Sequence, residues 1–176
     1  NEFFLPHQKH EGDPRDPASY KKYEGAEYAM DAMTKEALAF VRANKGRRFF
    51  LYFAPTIPHL ALQVPHHALT QYEGKFPEVP YNGAKNYLPH PTPRAAYAAM
   101  ITYLDTAVGQ LLDTLAETGA DKNTIVIFTS DNGATFDVGG VDTNFFESFG
   151  DLRGTKTELF EGGIRVPMIA RWPSRI

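Results

Sequence analysis

An α/β protein, a layered sheet with helices on both faces, is the fold class that three observations predict for this 176-residue chain. Apolar residues recur at helical spacing in two separate stretches. Short apolar runs that read as strands lie between and after them. Polar loops follow the strands, so that the element order is helix, strand, loop, helix, strand, loop, strand.

The elements follow from local chemistry. Asn1 to about Gly25 has little periodicity and carries His7, His10, Pro14, Pro17 and many charges, which reads as a surface arm, with 26–176 as the α/β portion. From about Ala26 to Ala43, Met30, Met33, Ala37, Phe40 and Val41 repeat at helical spacing, and Asn44 and Gly46 supply a stop. The run Phe49–Ala54 reads as a strand closed by Pro55; its lack of alternation suggests cover on both faces, as in a parallel sheet. Residues 55–93 form a long proline-rich connection of the kind that carries function. A second helix starts with Thr92 as N-cap and Pro93 in its first turn. Its stripe is Tyr97, Met100, Ile101, Leu104, Val108, Leu111, Leu112 and Leu115, and Gly119 ends it. Thr124–Thr129 reads as a strand, Asp131 to Thr155 as a polar loop, and about Arg165 to Trp172 as a final strand.

Composition narrows the function classes. A 43% hydrophobic, 22% charged chain has enough apolar residues for a real core, and its length suits one domain. A net charge of -3 gives no reason to expect nucleic acid as a partner. No apolar run approaches the ~20 residues that span a bilayer. With no cysteine there are no disulfides and no thiolate metal sites. A chain that opens on Asn1 rather than Met is expected to be a processed or excised piece.

In open α/β sheets ligands bind beyond the carboxyl ends of strands. Two such ends carry candidates. Ser130-Asp131-Asn132-Gly133 follows a strand, and its carboxylate and amide carbonyl are hard oxygen donors suited to calcium or magnesium. The same tetrapeptide also suits a plain β-turn. His59, after Pro58, can pass a proton to a leaving oxygen, or can simply be satisfied within its loop. Lys156 lies between Gly154 and Gly162-Gly163, where a fixed ammonium would stabilise charge on an anion; a lone loop lysine is otherwise solvated surface. His66 and His67 stand near His59, and His7, His10 and His90 have no motif around them.

Ser130-Asp131-Asn132-Gly133 after its apolar run, the stretch Gly154-Thr155-Lys156 through Glu161-Gly162-Gly163-Ile164-Arg165-Val166-Pro167, and Pro58-His59 together resemble the type I sulfatases of the alkaline phosphatase superfamily. Arg94-Ala95-Ala96-Tyr97-Ala98-Ala99-Met100 and Leu104-Asp105 look like that family's long helix before the metal-binding strand, and Arg48 stands where the family often has proline. The resemblance implies an alkaline phosphatase-like fold, incomplete here, with 1–176 as part of a single catalytic domain. It implies calcium on Asp131 and Asn132, and substrate contact and catalysis by His59 and Lys156. Glu161 and Arg165 would be structural.

It also implies a nucleophile that is missing. In the family this is a formylglycine made from Cys or Ser in a Cys/Ser-x-Pro-x-Arg motif. Arg171-Trp172-Pro173-Ser174-Arg175 imitates the motif only superficially, with arginine where the nucleophile would be. The formylglycine therefore lies outside this chain, and the chain alone is expected to be inactive and to bind calcium weakly. The implied parent hydrolyses sulfate monoesters of a small molecule or glycan, has the remainder of its domain as a partner, and works in the periplasm, outside the cell or in the lysosome. A phosphodiesterase or phosphonate hydrolase of the same superfamily, or a non-catalytic anion-binding pseudoenzyme, would carry much the same residues.

Overall fold

The computed structural model describes residues 12–13, 16–83, 87–173 and 175–176; His7, His10, Pro14 and Ser174 lie outside the described residues. Residues 16–23 of the expected arm are among those described. Pro17–Tyr23 forms a 3-10 helix, capped by Asp16, whose carboxylate accepts the Ala18 N–H at 2.9 Å, and Tyr20 is buried.

Seven further elements follow among the described residues, in chain order: α1 (Ala29–Asn44), α2 (His66–Leu69), α3 (Pro93–Glu117), a 3-10 turn (Ala120–Asn123), β1 (Val126–Thr129), α4 (Glu161–Ile164) and β2 (Met168–Arg171). The first helix buries Met30, Thr34, Ala37 and Val41, so its inner face is turned slightly from the expected one and leaves Phe40 at the edge. Met30 joins Ile57, Leu62, Ala96, Met100, Ala107 and Val141 in the main core, which lies between α1, α3 and the connection after residue 55.

The long helix α3 departs from the expected stripe. Its fully covered residues are small ones, Ala95, Ala96, Ala99 and Ala107, together with Met100, Thr114 and Leu115. Alanines let the neighbouring segments approach closely. The larger residues Tyr97, Ile101, Leu104, Val108 and Leu111 instead line an open concavity beside the strands. The helix is thus apolar on two sides, and the periodicity reported the union of both.

The expected cap of α3 is also corrected. Thr92 occupies the N-cap position, but its side chain makes no capping bond and its Oγ1 is buried without a partner. Glu78 does the capping: its two carboxylate oxygens accept the N–H groups of Arg94 at 3.1 Å and Ala95 at 2.8 Å. These are free donors of the first turn, and a carboxylate suits the positive end of the helix. Gly119, at a φ of 71°, ends the helix as expected.

The strands pair antiparallel, Val126 opposite Arg171 and Thr129 opposite Met168. Both are shorter than the apolar runs that contain them. Phe49–Ala54 forms no helix and pairs with no strand among the described residues. Its burial alternates: Leu51 and Phe53 are half-buried, whereas Phe50 and Tyr52 are 86% and 79% exposed. The expected two-sided cover in a parallel sheet is therefore not met within these residues.

Candidate active site

Backbone contacts bring two of the predicted segments together. The Gly133 N–H donates to the Gly163 carbonyl at 2.9 Å, Gly162 N–H to Arg153 O at 2.7 Å, and Lys156 N–H to Ala134 O at 2.7 Å. These three bonds tie the Asp131 loop, the Lys156 loop and α4 into one layer. Glycine is required at the crossings. A methyl group at Gly133 would overlap the Gly162 carbonyl, one at Gly162 would overlap the Gly154 carbonyl, and one at Gly163 would overlap that of Glu158. Arg153 adds a cation–π contact, its guanidinium 3.7 Å from the centre of the Phe160 ring.

Asp131 is exposed just past the end of β1, whose Thr129 hydroxyl donates to Pro167 O at 3.1 Å. Asn132 is half-buried; its Nδ2 donates to Gly133 O at 2.9 Å, and the Ser130 hydroxyl donates to Asn132 O at 2.8 Å. With Nδ2 occupied, Asn132 keeps its amide oxygen for a ligand. Asp131 and Asn132 thus fit two positions around a hard cation. Among the described residues there is no cluster of three or more histidine, aspartate or glutamate side chains with metal-ligand geometry.

His59 is exposed in a turn beyond the unpaired stretch 49–54, rather than at the end of a paired strand. Its N–H donates to Thr56 O at 3.0 Å, and its Nδ1 lies 2.6 Å from Leu60 O. A carbonyl only accepts, so Nδ1 carries the proton and Nε2 is the nitrogen left for a ligand. His59, Asp131, Asn132 and Lys156 all line the same open concavity, together with Thr157 and Ser130. His66 and His67 open α2, and the His67 ring packs 6.0 Å from that of Tyr103; neither lines the concavity. His90 is structural: buried, with its Nδ1 accepting the Thr92 N–H at 3.1 Å, and pushed down to about 4 by burial. Arg165 and Glu161 pair at 3.5 Å on the surface, and Arg165 N–H donates to Glu161 O at 2.8 Å.

Two residues of the site layer were passed over in the sequence. Thr155 and Glu158 bond to each other on either side of Lys156, the Glu158 carboxylate accepting the Thr155 N–H at 2.8 Å. The signal was present as Thr-x-x-Glu, the spacing at which a glutamate reaches back to a backbone N–H.

The Asp131–Asn132 loop and the Lys156 loop adjoin through their backbones, and His59 lines the same open concavity; a carboxylate, a carboxamide, an ammonium and an imidazole are groups that would suit an anionic ester. The profile of the sulfatase family matches residues 2–176, and the chain belongs to that family. It is 32% identical over 151 residues to an N-acetylgalactosamine-6-O-sulfatase of Bacteroides thetaiotaomicron, an alignment covering 83% of this chain and 26% of that protein. It is 35% identical to the N-acetylgalactosamine-6-sulfatase of Mus musculus, over 81% of this chain and 24% of the relative. The crystal structure of Ps i-CgsB in complex with k-i-k-neocarrahexaose superposes with a TM-score of 0.66 at 29% identity, covering 85% of this chain and 29% of that one. The chain therefore spans about a quarter of the length of the curated relatives it matches. The fold is alkaline phosphatase-like α/β, and the described residues form a partial version of it, with a small sheet and helices. No helix among the described residues is long and apolar enough to cross a membrane.

Proposed function

We propose that this chain supplies the leaving-group and anion-stabilising side of a sulfatase site, in a complete protein that hydrolyses a sulfate monoester of a glycan. The observation that carries the reading is the bond from Lys156 N–H to Ala134 O, which sets the lysine next to the Asp131–Asn132 loop. Lys156 presents its ammonium to a sulfate oxygen, where negative charge grows as the ester bond breaks. His59 holds a proton on Nδ1 against Leu60 O, so its Nε2 faces the leaving oxygen and, in the imidazolium form, donates a proton to it. Asp131 and the amide oxygen of Asn132 would hold the calcium that the family uses, with the remaining donors of its ~6–8 supplied by the rest of the domain. Bound there, calcium would draw charge from a sulfate oxygen. The formylglycine nucleophile belongs to the remainder of the domain, since the chain has no cysteine and no usable motif.

A sugar sulfate is favoured because relatives are named for N-acetylgalactosamine 6-sulfate and a structural neighbour was solved with an oligosaccharide. A periplasmic, secreted or lysosomal location accompanies this reading. The test is turnover of a chromogenic aryl sulfate by the complete protein, produced in a host that installs formylglycine. Lys156→Ala is expected to lower kcat by about 10²–10³-fold, the size of losing one preorganised charge stabiliser. Unchanged turnover would remove Lys156 from the site. The 176-residue chain alone is expected to show none, because helpers without a nucleophile supply only part of the catalysis.

A further inference from the structure

Lys156 is the second residue of a β-turn running from Thr155 to Glu158, closed by Glu158 N–H donating to Thr155 O at 3.0 Å. The third residue, Thr157, has a φ of 80°, whereas Lys156 is not among the residues with positive φ. That combination is a type II turn, whose third position normally takes glycine. A β-branched residue is strained there. The strain would be relieved by flipping the Lys156–Thr157 peptide toward the type I form, which changes ψ of Lys156 by roughly 150°. Such a flip would re-aim the chain on which the ammonium is carried.

Something must hold the turn in its strained form, and Glu158 is placed to do it. Its Oε2 accepts both the Thr155 N–H at 2.8 Å and the Thr155 hydroxyl at 3.2 Å, clamping the two ends of the turn together. The bond from Lys156 N–H to Ala134 O fixes the turn from the other side. Lys156 and Thr157 both line the concavity, so the strained peptide lies on the candidate site itself. Strain kept at such a position is commonly part of how a group is aimed. We propose that Glu158 is a positioning residue for Lys156, holding the Thr155–Glu158 turn in the type II form that directs the ammonium. This rests on the reading of Lys156 as the anion stabiliser.

The test is a double-mutant cycle in the complete, formylglycine-bearing enzyme on an aryl sulfate. Glu158→Ala is expected to lower kcat about tenfold while KM stays within about threefold, the cost of a misaimed group rather than a lost one. Glu158→Gln keeps an oxygen acceptor and is expected to stay within about threefold of wild type. In a Lys156→Ala background, Glu158→Ala is expected to cost nothing more, since there is no ammonium left to aim. Adding Thr157→Gly to Glu158→Ala is expected to restore most of the turnover, because glycine accepts the positive φ without strain. Equal losses in the two backgrounds, no loss in Glu158→Ala, or no rescue by Thr157→Gly would overturn the proposal. A loss in Lys156→Ala together with a silent Glu158→Ala would overturn it and leave the functional reading standing. A silent Lys156→Ala would overturn both.

Discussion

Two loop regions of this molecule are held across their segments by different means. The layer around Lys156, made of residues 131–134 and 153–163, is tied across its segments by backbone N–H and carbonyl groups crossing at glycines, with no space for a side chain at those crossings. The region at the start of α3 is joined by side chains. Glu78 caps the helix, Arg94 pairs with Asp142 at 2.6 Å and also donates to the Pro77 carbonyl, and His90 accepts from Thr92. Arg94 further lies over the Phe145 ring at 3.9 Å. Backbone crossings do not titrate and cannot be trimmed, but they fail when an atom is added. Side-chain anchors fail when an atom is removed, and they respond to pH.

The contrast can be broken most severely at Gly162. Gly162→Ala in the complete protein is expected to destabilise by about 3 kcal/mol or more, since the methyl meets backbone rather than a side chain that can move aside. Urea unfolding measures this, and sulfatase turnover should fall with it; a neutral Gly162→Ala would mean the layer is loose. The loss should be the same at pH 5 and pH 7.

The next effect belongs to the side-chain region and is set by His90. Burial lowers its pKa to about 4 from an ordinary 6.5, so the unfolded chain binds this proton first as the solution is acidified. The stability tied to neutral His90 is complete above pH 6.5 and is lost as pH falls toward 4, up to about 3 kcal/mol across that window. Urea midpoints from pH 7 to pH 4 for wild type and His90→Asn, whose amide oxygen can replace Nδ1 as the acceptor, read this slope directly. Equal slopes in the two proteins would remove His90 as its source.

The smallest effect is at the cap. Glu78→Ala leaves the N–H groups of Arg94 and Ala95 without their acceptor and should cost about 1–2 kcal/mol at pH 7. Burial raises the Glu78 pKa against the pull of those two bonds and of Arg94. The part of its stability change that comes from this shift therefore favours the acid side and is lost as pH rises through the folded value. Thr92→Ala, by contrast, should change the thermal midpoint little, because Thr92 Oγ1 caps nothing.

What the sequence made legible follows the same division. The glycine-punctuated stretch around Lys156 announced a special backbone, though what its crossings at Gly162 and Gly163 need is the absence of a Cβ rather than conformational freedom. The α/β class and the end of α3 at Gly119 also came from local chemistry. The cap did not. Thr92 is where a local reading places it, yet a carboxylate from residue 78 takes the N–H groups, and contacts across such a separation leave no periodic trace. Phe49–Ala54 has the apolar character of a strand, but strand pairing needs a second segment and none of the described ones supplies it. On α3, apolar spacing identified the helix correctly but did not distinguish the alanine face that is covered from the Leu and Ile face that is open. Packing partners decide that.

That open face has a practical outcome for anyone handling the chain by itself. Ile101, Ile127 and Phe128 stay substantially exposed and line the concavity with the unpaired residues 49–54, where Phe50 and Tyr52 are also exposed; Met168 and Ile169 are exposed on the second strand. Several exposed apolar side chains beside strands with open edges favour self-association. Produced alone, these 176 residues should bind hydrophobic dyes, collect in inclusion bodies and return to solution only with help from detergent or a co-expressed complement.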